Sequence, residues 1–163
     1  MEAVPIYIAL GSNLEPRAEH LQKARELLAR ISEGEWLASS IHETEPVGPP
    51  GQGPYLNQVV SFLSGKSALE LLHFCKGAEV ILGRKPRGRW ESREIDLDLL
   101  YCGTQVIETA HLQVPHPRIA ERKFVLEPLC EIAPGWMDPA FLRPVSALLH
   151  DLRFSTPSIQ EAK

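Results

Sequence analysis

The chain has 163 residues, 44% hydrophobic and 23% charged, which suits one globular domain (1–163) with a sizeable core and excludes a disordered polymer. Its formal net charge of −4 argues against a general nucleic-acid binder, which must neutralise many phosphates with Lys and Arg. Cys75, Cys102 and Cys130 lie in apolar contexts without metal-ligand spacing, so free buried thiols are expected rather than a disulfide frame or a zinc site. The apolar run Ile6–Leu10 is too short to cross a membrane and lacks a basic leader, so a soluble cytoplasmic protein is expected.

Ile6–Leu10 has the pattern of a strand, broken by Gly11-Ser12-Asn13. Leu21, Ala24, Leu27, Leu28 and Ile31 then recur at helical spacing, with Pro16 in the first turn and Gly34 available as the stop. Trp36–Glu43 predicts a second strand, the Pro- and Gly-rich stretch 46–54 a loop, and Leu56–Leu63 a third strand. Ser67-Ala68-Leu69-Glu70 is a capping-box pattern opening a second helix, with Leu69, Leu72 and Cys75 as its apolar stripe and Gly83 as its end. A basic loop, Arg84–Arg93, leads to Ile95-Asp96-Leu97-Asp98-Leu99, whose period of two predicts a strand with leucines inward and both aspartates on the other face.

The order βαββαβ fits a ferredoxin-like α+β sandwich: two helices cover one face of an antiparallel sheet and leave the other for a site. Beyond Gly103, Val106-Ile107 suggests an edge strand, Pro117–Glu121 a helical turn, and Phe124–Ile132 a short helix interrupted near Pro128. A small C-terminal helical extension and a frayed tail from about residue 155 complete the expected domain, which carries long functional loops. With no apolar surface helix left over, a monomer is the default.

Two residues apart on a strand, Asp96 and Asp98 should present carboxylates ~7 Å apart at their Cα atoms, close enough to share a metal centre. Magnesium suits such a pair, because it takes one or two carboxylates and leaves its other positions to water and phosphate; the alternative is two aspartates on a solvated strand face. Five basic residues precede the pair in one decapeptide, Arg84, Lys85, Arg87, Arg89 and Arg93, and guanidinium groups bind phosphate oxygens. Without a Gly-x-x-x-x-Gly-Lys motif, any ATP site is not a P-loop. Trp90 within that loop is either a lid residue or a surface anchor. Tyr55 and Phe124 could stack on a flat heterocycle whose edge Asn57 reads, and each could equally be structural. His116, between two prolines, and Arg122 could bind phosphate or simply face solvent. Glu79 lies on the apolar stripe and needs a partner or a cleft, for which Lys76 offers a local salt bridge.

Taken in order, Tyr7–Leu14, Thr44-Glu45-Pro46-Val47-Gly48 leading into Tyr55-Leu56-Asn57, Arg89-Trp90, Arg93–Asp98 and Val114-Pro115-His116-Pro117 are specific in combination. Over residues 7 to about 152 the chain resembles the bacterial 6-hydroxymethyl-7,8-dihydropterin pyrophosphokinase family. The resemblance implies that Asp96 and Asp98 hold two Mg²⁺ ions between ATP and the pterin alcohol. It implies a pterin site of Thr44, Pro46, Val47, Tyr55, Asn57 and Phe124. It further implies catalytic roles for Arg84, Arg93 and the lid residue Trp90. ATP contacts are implied for Glu79, Arg84, Lys85, Arg87, Arg93, His111, Gln113, His116 and Arg122. Two departures stand out: the loop before Trp90 is one residue shorter than the familiar pattern, so either Lys85 or Arg87 makes its second phosphate contact, and His111 stands where arginine is common. Both should alter nucleotide affinity or loop closure rather than the reaction. Two alternatives stay open beside the resemblance: another metal-dependent phosphoryl or nucleotidyl transferase using the same aspartate strand, and a non-catalytic ferredoxin-like module that binds a small ligand.

Overall fold

A computed structural model describes residues 2–45, 52–86 and 92–154. The central strand β1 (Val4–Ser12) lies antiparallel between β4 (Tyr55–Ser64) and β5 (Asp96–Cys102). The short strands β2 (Leu37–Ala38) and β3 (His42–Thr44) both pair with the outer edge of β4. With α1 (Arg17–Ala29) after β1 and α2 (Ala68–Ile81) after β4, the predicted βαββαβ order stands, its second strand split in two.

The split has a local cause. At Ser39 the side chain joins the ladder: its N–H donates to the Val59 carbonyl at 2.9 Å, while its Oγ accepts from Val59 N–H at 3.0 Å. Gln58 Nε2 donates to the Ser39 carbonyl at 2.7 Å, so the edge is held through residue 39 without a continuous strand. Glu131 accepts from Ser40 N–H (2.8 Å) and from His42 Nε2 (2.5 Å), which anchors β3 from the far side.

Alternation assigns the two sheet faces. Ile6, Ile8 and Leu10 of β1, Val60 and Phe62 of β4, and Leu97 and Leu99 of β5 form the core under α1 and α2. On the opposite face, Tyr7, Val59, Leu100 and Tyr101 pack beneath α3 (Lys123–Ile132) and α4 (Val145–Arg153). The register of β1 on β5 shifts between Tyr7 and Ile8, and this bulge lets adjacent residues Leu100 and Tyr101 both join the second cluster. The second face is therefore half covered, not left open as the two-helix expectation had it.

Several local expectations need correction. Helix α1 ends at Ala29, well before Gly34; a Cβ at residue 34 would lie 2.7 Å from Leu63 Cδ1, so glycine there permits close packing. The buried stripe of α2 is Ala68, Leu71, Cys75, Ala78 and Glu79, whereas Leu69 is 47% exposed. The capping box is present, with Ser67 Oγ accepting from Glu70 N–H (3.1 Å) and Glu70 Oε1 from Ser67 N–H (2.8 Å), and Gly83 takes the left-handed turn (φ 95°) after the helix. The predicted edge strand is instead a separate hairpin, β6 (Ile107–Glu108) with β7 (Gln113–Val114), and Val106 lies outside it, exposed. Helix α3 runs through the buried Pro128, with Val125, Leu126 and Leu129 packed in the second cluster; packing outweighs the one backbone bond the proline removes. The hairpin β8 (Met137–Asp138) with β9 (Arg143–Pro144) had no sequence expectation. Among the described residues all three cysteines are free, and no helix is long and apolar enough to cross a membrane.

Candidate active site

The second face of the sheet carries a gradient of size along β1. Tyr7 fills space beneath α3 and α4, but Ala9 and Gly11, next on the same face, leave a hollow. Gly11 is flanked in register by Asn57 on one side and Asp96 on the other, and Ala9 by Val59 and Asp98. A Cβ on Gly11 would sit 3.4 Å from Asn57 Oδ1 and 3.6 Å from Tyr55 Cδ1, so glycine keeps the floor low where these groups converge. The result is a cavity of about 320 Å³.

Its walls divide by chemistry. On one side lie Tyr55, Asn57 and Thr44, with Phe124 from the start of α3. Asn57 Nδ2 donates to Thr44 Oγ1 at 2.6 Å, which fixes the amide and leaves its oxygen facing the floor. Burial pushes the Tyr55 phenol up, with Asp96 adding to the effect, so the ring stays neutral. The Arg122 guanidinium stands 5.5 Å over the Phe124 ring, joining the aromatic wall to the charged one.

The other side is charged. Asp96 Oδ1 receives Arg84 Nη2 and Arg93 Nη1, each at 3.2 Å. Burial pushes the Asp96 carboxyl up and the Asp98 charge adds to it; Arg93 and Arg84 work against them. Arg84 Nε is buried with no hydrogen-bond partner among the described residues, an orphan donor of the kind an anionic oxygen satisfies. His116 Nδ1 accepts the Arg118 N–H at 3.2 Å, so the ring carries its proton on Nε2. Burial pushes the His116 pKa down, against the pull of Asp98, and this keeps the imidazole neutral. Burial also lowers Arg122.

Two carboxylates in a half-buried wall are a donor set that a hard divalent cation would relieve. Among the described residues no group of three or more His, Cys, Asp or Glu gathers, so these residues form no all-protein cage. Magnesium bound through one or two carboxylates, with phosphate oxygens completing its shell, fits what is present.

The structure brings together ten of the residues singled out from sequence: Thr44, Tyr55, Asn57, Arg84, Arg93, Asp96, Asp98, His116, Arg122 and Phe124. It does not bring Lys85, His111, Gln113 or Glu79 to the cavity wall. Lys85 N–H donates to Glu94 Oε1 at 3.3 Å, and His111 and Gln113 are exposed on the β6–β7 hairpin. Glu79 lies beneath the wall, 2% exposed: its Oε2 accepts the Leu97 N–H at 2.7 Å, between the two aspartates, and its Oε1 lies 3.5 Å from Arg84 Nη1 and 3.6 Å from Lys76 Nζ. It is a brace, and burial pushes its carboxyl up. Pro46, Val47, Arg87 and Trp90 lie outside the described residues. Sequence reasoning missed Arg118 and the small floor residues Ala9 and Gly11, and took Lys76 only as a partner for Glu79. The floor had a signal, since the alternation in Tyr7-Ile8-Ala9-Leu10-Gly11 puts its shrinking residues on one face.

Fold and cavity define a ferredoxin-like α+β protein with an acidic, arginine-rimmed pocket on the open part of its sheet. The family model for 7,8-dihydro-6-hydroxymethylpterin-pyrophosphokinase matches residues 7–134. Proteins named 2-amino-4-hydroxy-6-hydroxymethyldihydropteridine pyrophosphokinase are similar over most of their length. That of Bacillus subtilis is 44% identical over 127 residues (77% of this chain, 76% of the relative), and that of Aquifex aeolicus 38% over 140 residues (86% and 87%). The chain belongs to the 7,8-dihydro-6-hydroxymethylpterin-pyrophosphokinase family, and is a pyrophosphokinase.

Solved structures of HPPK-DHPS proteins share the fold. One in complex with substrates aligns with a TM-score of 0.71 at 13% identity, over 99% of this chain and 45% of that one. Wild-type HPPK-DHPS of Plasmodium falciparum with pterin and p-hydroxybenzoate gives 0.71 at 12%, over 98% and 44%. This chain thus spans under half the length of those structures.

Proposed function

We propose that the chain transfers the β,γ-diphosphate of ATP to the hydroxymethyl group of 6-hydroxymethyl-7,8-dihydropterin, giving AMP and the pterin diphosphate of folate biosynthesis. The observation that carries this is the division of one cavity into an aromatic, amide-bearing wall and a wall of two carboxylates ringed by cations. A flat amide-edged ring suits the first wall, with Tyr55 and Phe124 on its faces and Asn57 and Thr44 at its edge. A polyphosphate suits the second.

Asp96 and Asp98 would hold Mg²⁺, two ions in the fullest form of this reading. When bound, the metal neutralises phosphate charge and helps align the attacking and leaving oxygens. The protein's own groups do the rest. Arg84 and Arg93, parked on Asp96, exchange that carboxylate for phosphate oxygens, and the orphan Nε of Arg84 gains its acceptor. His116 donates from Nε2 as a neutral group, and Arg122 supplies charge near the ring. The substrate hydroxyl oxygen bonds to the β-phosphorus and gives up its proton to solvent, the bond from that phosphorus to the α–β bridging oxygen breaks, and AMP leaves with that oxygen. Catalysis is by positioning and charge stabilisation, without a covalent enzyme intermediate.

Two apolar clusters on opposite faces of one sheet support a single catalytic domain, and three free thiols support a reducing cytoplasm. The test is to incubate the protein with ATP, Mg²⁺ and the pterin alcohol and to separate AMP from ADP. AMP formed one for one with pterin diphosphate is expected; ADP, or no turnover by folded protein, would sink the proposal.

A further inference from the structure

Arg17 opens α1, does not line the cavity, and is left unused by the reaction above. Its side chain is 19% exposed and is oriented from its own turn: Glu15 Oε1 accepts the Arg17 N–H at 3.0 Å, and Glu15 Oε2 accepts Nε at 2.8 Å. So held, the guanidinium sends Nη1 across to the sheet, where it donates to Glu43 Oε2 at 2.8 Å and to the Pro54 carbonyl at 3.0 Å. These two acceptors flank the last pair of the β3–β4 ladder, Thr44 with Tyr55. Thr44 holds the Asn57 amide and Tyr55 is the aromatic beside it, so the clamp closes on the hairpin end that forms the ring-binding wall.

Strand β3 has only three residues, and the end pair of so short a ladder frays readily because few neighbours hold it. Arg17 supplies what the ladder lacks, a planar cation whose fixed fork bridges both strands beside that pair. Glu43 is 54% exposed, so the bridge adds little to global stability and its consequence is local. We propose that Arg17 is a positioning residue that sets affinity for the ring substrate: it fixes Thr44 and Tyr55 in their bound arrangement before the ring arrives, and so lowers the ordering cost of binding. Its side-chain bonds go to Glu15, Glu43 and Pro54, none of which belongs to the charged wall, so nucleotide binding is untouched. The inference deepens the pyrophosphokinase reading and rests on it.

The experiment uses the full chain and an unreactive pair, α,β-methylene-ATP with Mg²⁺ and oxidised 6-hydroxymethylpterin. Calorimetry gives the Kd of the nucleotide alone and that of the pterin on nucleotide-saturated protein. Arg17→Ala should raise the pterin Kd about tenfold, the scale of ordering one residue's backbone, and leave the nucleotide Kd at its wild-type value. Glu43→Ala removes one arm of the clamp and should raise the pterin Kd less. In the double variant the loss should match that of Arg17→Ala alone, because Glu43 acts through the arginine; a general loosening of the fold would not produce that match. Should Arg17→Ala not fold, Glu43→Ala carries the test, and an unchanged pterin Kd there overturns the inference. So would a pterin Kd unchanged in Arg17→Ala, an equal loss for both ligands, or losses that add in the double variant. A wild type that binds neither ligand overturns the functional reading, and the inference falls with it.

Discussion

Glu79 shows how a residue can matter to the site without touching what enters it. Its carboxylate holds the Leu97 N–H between Asp96 and Asp98 and lies beside Arg84, so it sets where the charged wall stands. Replacing Glu79 with Leu leaves that buried N–H unpaired and should cost about 1–3 kcal/mol of stability, whereas Glu79→Gln keeps an acceptor and should cost less. Urea unfolding of the two variants checks the order, and equal losses would contradict the brace. At this scale the sequence was legible wherever chemistry demanded an unusual residue: a paired aspartate on a strand, an arginine run, an asparagine beside an aromatic. Spacing located the helix face that carries Glu79 but not the depth at which that face is buried. Sequence reasoning passed over Arg17, whose partners Glu43 and Pro54 are far away in the chain.

At the scale of elements, local capping and alternation carried most of the information. The capping box of α2 satisfies two end groups reciprocally, so Ser67→Ala should lower stability by about 1 kcal/mol without altering the cavity, since Ser67 lies at the opposite end of α2 from Arg84. A denaturation midpoint shift at unchanged substrate KM is the expected outcome; a changed KM would mean that the helix end communicates with the site. What stayed illegible was decided by tertiary packing. The second strand breaks because Ser39 bonds to Val59 from both its backbone and its side chain. Helix α3 survives Pro128 because its neighbours Val125, Leu126 and Leu129 are held in the second cluster. Gly34 is needed for contact with Leu63 rather than as a helix stop.

Across the whole molecule, one sheet serves two purposes because its faces are filled differently. The face under α1 and α2 is a continuous apolar core, while the other is core at the Tyr7 end and cavity at the Gly11 end. The βαββαβ plan could be read from the chain, but the closure of half of the second face by α3, α4 and the β8–β9 hairpin could not, since two-residue strands carry no period. That burial predicts thiol behaviour. Burial pushes the Cys75 thiol up to about 12, so at pH 8 it remains protonated and enclosed, whereas Cys130 is only half-buried. A colorimetric thiol reagent should label Cys130 first in native protein, leaving Cys75 and Cys102 to react only on unfolding; rapid labelling of Cys75 would contradict the packing under α2.

The most direct test of the account follows the reaction by ³¹P NMR in wild type and in Asp98→Asn, with ATP, Mg²⁺ and 6-hydroxymethyl-7,8-dihydropterin. The wild type should yield AMP and pterin diphosphate in equal amounts, and the variant, folded, should be slower by about 10²–10³-fold, the scale expected when one transition-state electrostatic group is removed. Turnover of Asp98→Asn at the wild-type rate, or ADP as the wild-type product, would contradict it.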